Sequence, residues 1–138
     1  MENISEHISY SEATQSPTAL RNGIENTPSD EQLANMKILA EMCFEPLRAL
    51  YGKHIKVNSF FRCDELNKKV GGSKTSQHTA IKGAAIDMSA GSKAENKILF
   101  DLCKDNLQFD QLINEYDYSW VHISYNKGKN RNQILVVK

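Results

Sequence analysis

The chain has 138 residues, 40% hydrophobic, 25% charged and 8% aromatic, and its 17 Lys and Arg balance 17 Asp and Glu. That composition belongs to a folded globular protein with length for one core and too little for two. Zero net charge argues against a nucleic-acid footprint, and no apolar run approaches the ~20 residues of a membrane span.

The N-terminus "MENISEHISYSEATQ" lacks the basic start and apolar stretch of a secretory signal. It reads as a chain made in a cytoplasm, which something else must carry out if it acts outside. Weak alternation around His7–Tyr10 predicts a short edge strand. "SPTALRNG" reads as a short helix, with Ser16 as cap, Pro17 at its first position and Gly23 as stop. A longer helix follows in "SDEQLANMKILAEMCFEPLRALYG". Ser29 and Gln32 stand at capping-box spacing, and Leu33, Met36, Leu39, Ala40, Cys43, Leu47 and Leu50 form its apolar stripe. Pro46 predicts a kink and Gly52 an end.

"HIKVNSFFR" alternates and reads as a strand. "CDELNKKV" reads as a short helix, "GGSKTSQH" as a loop and "AAIDMSA" as a buried strand. "SKAENKILFDLCKDN" is an amphipathic helix capped by Ser92, with Ile98, Leu99, Leu102 and Cys103 on its apolar side. "FDQLINEY", "WVHISYN" and "RNQILVVK" are three strand candidates. Helices come first and strands cluster late, so the class is α+β. Cys43, Cys63 and Cys103 are too widely spaced for a CxxC ligand pair and read as reduced, mostly buried thiols.

Of four His, His7 and His54 read as surface residues. His78 ends a Gly/Ser/Thr loop, His122 lies inside the apolar "WVHISY", and Asp87 lies inside "AAIDMS". A buried polar side chain needs a partner. One Zn²⁺ would serve all three, since two imidazoles and a carboxylate with a position left open is a common catalytic zinc set. Residue types alone leave another reading open, a hydrogen-bonded core His and a capping Asp.

The segments "SFFRCDELNKKVGGSKTSQH", "GAAID" and "WVHISY" together resemble the D-alanyl-D-alanine carboxypeptidase family of zinc peptidases, and in particular its short, phage-type, endolysin-like members. The resemblance covers about residues 8–126. It implies one α+β domain over residues 1–138, with residues 1–15 as a possible extension. The implied architecture is a small antiparallel sheet with helices on one face, of the hedgehog/D-Ala-D-Ala-peptidase type. The family pattern Ser-x-His-x-x-Gly-x-Ala-x-Asp with a late Trp-x-His falls on Ser76, His78, Gly83, Ala85, Asp87, Trp120 and His122. The resemblance therefore implies zinc held by His78, Asp87 and His122. It also implies Arg62 on the substrate's carbonyl or carboxylate, and Ser76 beside the substrate.

Two departures stand out. "TAIK", between His78 and Gly83, is two residues longer than the family pattern. Many relatives carry their catalytic Glu three residues before the last His, where this chain has Ser119. The phage-type members point instead to Glu115. A hairpin turning at Asp117–Tyr118 would set Glu115 opposite Trp120 and on one face with His122. A register slip by one would reverse that, with Asp117 in reserve.

The resemblance implies a zinc-dependent carboxypeptidase or endopeptidase acting on peptidoglycan stem peptides, as a phage lysis or virion-associated enzyme. A monomer without nucleic-acid or membrane partners is expected. The alternative is a zinc-binding but inactive structural or wall-binding module, which Ser119 keeps open.

Overall fold

A computed structural model describes residues 2–138. The edge strand expected near His7–Tyr10 does not form. Ser5 and Ile8 make only an isolated bridge, and the chain turns into helix α1 (Tyr10–Thr14). The reason is a capping box. Ser9 Oγ accepts from the Glu12 N–H at 3.0 Å, and Glu12 Oε1 accepts from the Ser9 N–H at 3.1 Å. This local exchange satisfies two otherwise unpaired donors and overrides a weak alternation. Helix α2 (Pro17–Arg21) starts at Ser16 and Pro17 as the sequence predicts.

The long helix is continuous but not uniform. It runs as α3 (Asp30–Leu39), one π turn (Ala40–Phe44) and α4 (Glu45–Tyr51), ending at Gly52 with φ +77°. Pro46 has no N–H to return to the preceding turn, and the wide turn lies just ahead of it. The extra residue in that turn rotates the helix beyond it. Met36, Leu39, Ala40, Cys43, Phe44 and Leu47 are fully buried, while Leu50, expected inside, is 50% exposed. Tyr51 packs on the core in its place.

Five strands form one sheet in the order β1-β2-β4-β3-β5: β1 (Lys56–Ser59), β2 (Ala84–Ser89), β3 (Gln111–Glu115), β4 (Trp120–Tyr125) and β5 (Gln133–Val137). All neighbours are antiparallel except β3 and β5, which run parallel at one edge. Strand β1 is shorter than "HIKVNSFFR" predicts. Its register shifts between Val57 and Ser59, and Phe60 and Phe61 are then both buried, which strict alternation forbids.

Elsewhere alternation sorts the sheet into two faces. Ile86, Met88, Leu112, Val121 and Ile123 are buried on one face, against α3, the π turn and helix α6 (Lys93–Asn106). Helix α6 buries Leu99, Phe100 and Cys103, with Phe100 taking the place expected of Ile98, which is 45% exposed. Residues Asp87, Glu115 and His122 fall on the opposite face. Helix α5 (Asp64–Lys69) leads into the loop beside that face.

The turn from β3 to β4 is unusual. Tyr116, Asp117 and Tyr118 all have positive φ, at 51°, 54° and 60°, which for non-glycine residues costs roughly 1–2 kcal/mol each. The surroundings hold it there. The Tyr118 N–H donates to Asn114 Oδ1 at 2.6 Å, Ser119 Oγ donates to Tyr116 O at 2.6 Å, and Asn96 Nδ2 on α6 donates to Tyr118 O at 2.9 Å.

All three Cys are free, and burial pushes the Cys43 thiol up to about 12. Among the described residues no helix is long and apolar enough to cross a membrane.

Candidate active site

His78, Asp87 and His122 converge from three elements. His78 lies in a 3-10 turn (Gln77–Thr79), Asp87 is central in β2 and His122 is central in β4. Asp87 and His122 are directly paired in the β2–β4 register, so their side chains leave the same face side by side. His122 Nδ1 lies 2.9 Å from Asp87 Oδ1, and His78 Nε2 lies 3.3 Å from Asp87 Oδ2. One nitrogen or oxygen from each residue lies within 4.8 Å of the other two.

The chemistry of this donor set suits a metal cation. His78 Nδ1 is 2.8 Å from the Phe60 carbonyl oxygen, which can only accept, so Nδ1 carries the hydrogen. In the neutral ring, Nε2 then aims a lone pair at the Asp87 carboxylate. Two acceptors facing one another need a positive charge between them, either a proton on Nε2 or a metal ion. A histidine whose second nitrogen donates to a backbone carbonyl is the usual form of a metal-ligating imidazole. Burial alone would raise the Asp87 carboxyl. The charge of His78 and hydrogen bonds with His122 and His78 outweigh it and hold the group well below the ordinary carboxylate range.

The loop that carries His78 is held at several points. The Arg62 N–H donates to His78 O at 2.9 Å, so Phe60 and Arg62 grip His78 by ring and backbone. Gln32 Nε2 and Asn35 Nδ2 on α3 donate to Thr79 O and Ala80 O at 3.0 and 2.8 Å. Ala80 takes a left-handed φ of 57°. Gly83 then enters β2 at φ +77°, where a Cβ would overlap the Tyr125 carbonyl oxygen. That position therefore requires glycine.

The three residues open into a cleft of about 540 Å³ that Arg62, Ser76 and Glu115 also line. Arg62 Nη2 donates to Ser76 Oγ at 3.3 Å, and its buried Nε has no partner among the described residues. Burial draws the guanidinium pKa down, opposed by nearby Asp87 and Glu115. In the β3–β4 register Glu115 pairs with Trp120 and Ile113 with His122, which is the register that sets Glu115 and His122 on one face. Trp120 Nε1 donates to Glu115 Oε2 at 2.7 Å. Asp117 points to solvent, 83% exposed, with Lys93 Nζ at 3.6 Å. Ser119 spends its hydroxyl inside the turn. Beside Asp87, the carboxylate that lines the cleft is thus Glu115, and neither Asp117 nor Ser119 lines it.

Sequence reasoning missed the supports. The carbonyl of Phe60 carries no side-chain signal. Asn26 donates to Thr14 O and Phe61 O and accepts from the Cys63 N–H at 2.8 Å, tying the N-terminal helices to the segment that grips His78. An asparagine outside any periodic element was the only trace it left.

A family model described as Peptidase M15 matches residues 6–124, most of the chain. No curated protein matches it.

Proposed function

Since the chain belongs to the M15 family of zinc-dependent metallopeptidases, we propose that it hydrolyses a peptide bond in the stem peptides of bacterial peptidoglycan, as a bacteriophage lysis or virion-associated enzyme. The observation that carries the reading is the convergence of His78, Asp87 and His122 in one cleft with a carboxylate and a guanidinium. The likeness of "SFFR", "VGGS" and "WVH" to short phage endolysins supports the wall as substrate.

His78 through Nε2, His122 through Nδ1 and Asp87 through its carboxylate would hold the zinc. Bound there, zinc lowers the pKa of water toward neutrality and polarises the scissile carbonyl. Glu115 takes a proton from the attacking water and delivers it to the departing amine. The Trp120 indole donates to Glu115 Oε2 and steadies the carboxylate in the cleft that Glu115 lines. Arg62, steadied by Ser76, meets the charge that develops on the carbonyl oxygen or that a substrate carboxylate brings.

Digestion of purified walls of several chemotypes with zinc present tests this, comparing wild type with Glu115→Ala and His122→Ala. Wild type is expected to release muropeptides and both variants to release few or none. Zinc binding without cleavage of any wall would replace the enzyme with a binding module.

A further inference from the structure

Residues 126–132 carry the chain from β4 past the start of β3 to β5, beyond the residues that the family model matches. At that crossing Arg131 meets Asp110. The Asp110 side chain is 3% exposed and that of Arg131 58%. Asp110 Oδ1 accepts from the Arg131 backbone N–H at 3.0 Å and from its Nε at 2.8 Å. Asp110 Oδ2 accepts from Arg131 Nη2 at 2.9 Å and from Gln77 Nε2 at 2.8 Å. Four donors fill the carboxylate's accepting capacity and leave it one orientation.

Gln77 Nε2 also donates to Lys82 O at 3.0 Å. Both of its partners only accept, so the amide orientation is set by chemistry. Gln77 directly precedes His78, and Lys82 closes the lengthened "TAIK" segment. One amide therefore staples the two ends of the loop that presents His78, and its anchor is Asp110, just ahead of β3. Gln32 and Asn35 on α3 and the Phe60–Arg62 segment brace the same loop from the other side.

We infer that Arg131, Asp110 and Gln77 form a latch through which the C-terminal tail fixes the ligand loop, with Gln77 as a positioning residue for His78 in zinc binding. The inference rests on the metallopeptidase reading above. It explains how a loop two residues longer keeps its imidazole aimed at Asp87, and it assigns the tail beyond the matched residues a part in the site.

Zinc affinity of the full chain, measured by competition with a chromophoric chelator, tests the latch. Unfolding of the metal-free protein is followed in parallel. Gln77→Met keeps the side chain's length and removes both bonds. Gln77 bonds to no ligand itself, so zinc binding is expected to weaken by about tenfold, the low end of what loss of an outer-shell partner costs, with little change in metal-free unfolding. Arg131→Lys keeps the charge and loses the forked grip. It is expected to weaken zinc binding in the wild-type background and to add nothing in Gln77→Met. Wild-type affinity in Gln77→Met overturns the latch, as does an Arg131→Lys effect of equal size in both backgrounds. Lower metal-free stability with unchanged zinc affinity overturns it too, because that is what a merely structural contact would give. Absence of zinc binding by wild type overturns the metallopeptidase reading as well, so the two failures are distinguishable.

Discussion

Glu115 and Trp120 face one another across the β3–β4 hairpin, and the indole Nε1 donates to Glu115 Oε2 at 2.7 Å. One carboxylate oxygen is thereby tied down at the edge of the cleft that Glu115 lines. Glu115→Gln keeps the shape and removes the proposed base, and it should lower kcat by about 10²–10⁴-fold with zinc content unchanged. Trp120→Phe should lower kcat about tenfold, the equivalent of one hydrogen bond to a charged group. Steady-state kinetics on a released muropeptide, with metal analysis of each variant, checks both.

The proposed ligand set makes a separate prediction about metal. Elemental analysis of wild type should give one zinc per chain, and His78→Ala, Asp87→Ala and His122→Ala should each lose it. Zinc at a hundred times its dissociation constant should stabilise wild type by about 2.7 kcal/mol and leave the three variants unmoved. Equal stabilisation of all four proteins would place the metal elsewhere.

Gly83 is fixed by backbone rather than by chemistry. At φ +77°, a Cβ there would overlap the Tyr125 carbonyl oxygen, which belongs to β4 and cannot step aside. Gly83→Ala should cost about 2 kcal/mol or more in chemical denaturation, since β2 and β4 must part. Gly71 and Gly91 meet nothing at that position, so alanine there tests only the strain of positive φ and should cost less.

Asp110 should give the fold an acid-sensitive component. The hydrogen bonds from the Arg131 side chain hold its carboxyl below the ordinary value, against the opposing effect of burial. A group depressed in the folded state stabilises fully above its unfolded pKa of about 3.9 and loses that contribution as pH falls through the lower folded value. Asp110→Asn should therefore be less stable than wild type at pH 7, and the gap should close as pH drops below about 4. Denaturation curves at a series of pH values read this directly. A gap constant from neutral to acid would show that the charge of Asp110 contributes nothing.

Much of the site was legible because short strands alternate strictly. Once "FDQLINEY" and "WVHISY" are set as a hairpin, the placement of Glu115, Trp120 and His122 follows from period two, and Asp87 joins them because β2 pairs β4 at His122. Helix α1 was equally present in the sequence, in Ser9 and Glu12 at capping-box spacing, but the weak alternation beside it suggested a strand. Phe60 and Phe61 escaped because a register shift in β1 ends the alternation that would have exposed one of them. The latch was illegible for a different reason. Gln77 and Asp110 are 33 residues apart, and Asp110 and Arg131 are 21 apart. Polar partners joined only by the fold leave no period to read.

The most direct test of zinc-dependent wall hydrolysis is mass spectrometry of peptidoglycan treated with chelator-stripped protein and with the same protein reloaded with zinc. The reloaded protein should yield fragments cut at one peptide bond of the stem, and the stripped protein should yield none. Intact stem peptides after treatment with zinc-loaded wild type, across walls of several chemotypes, would contradict the account.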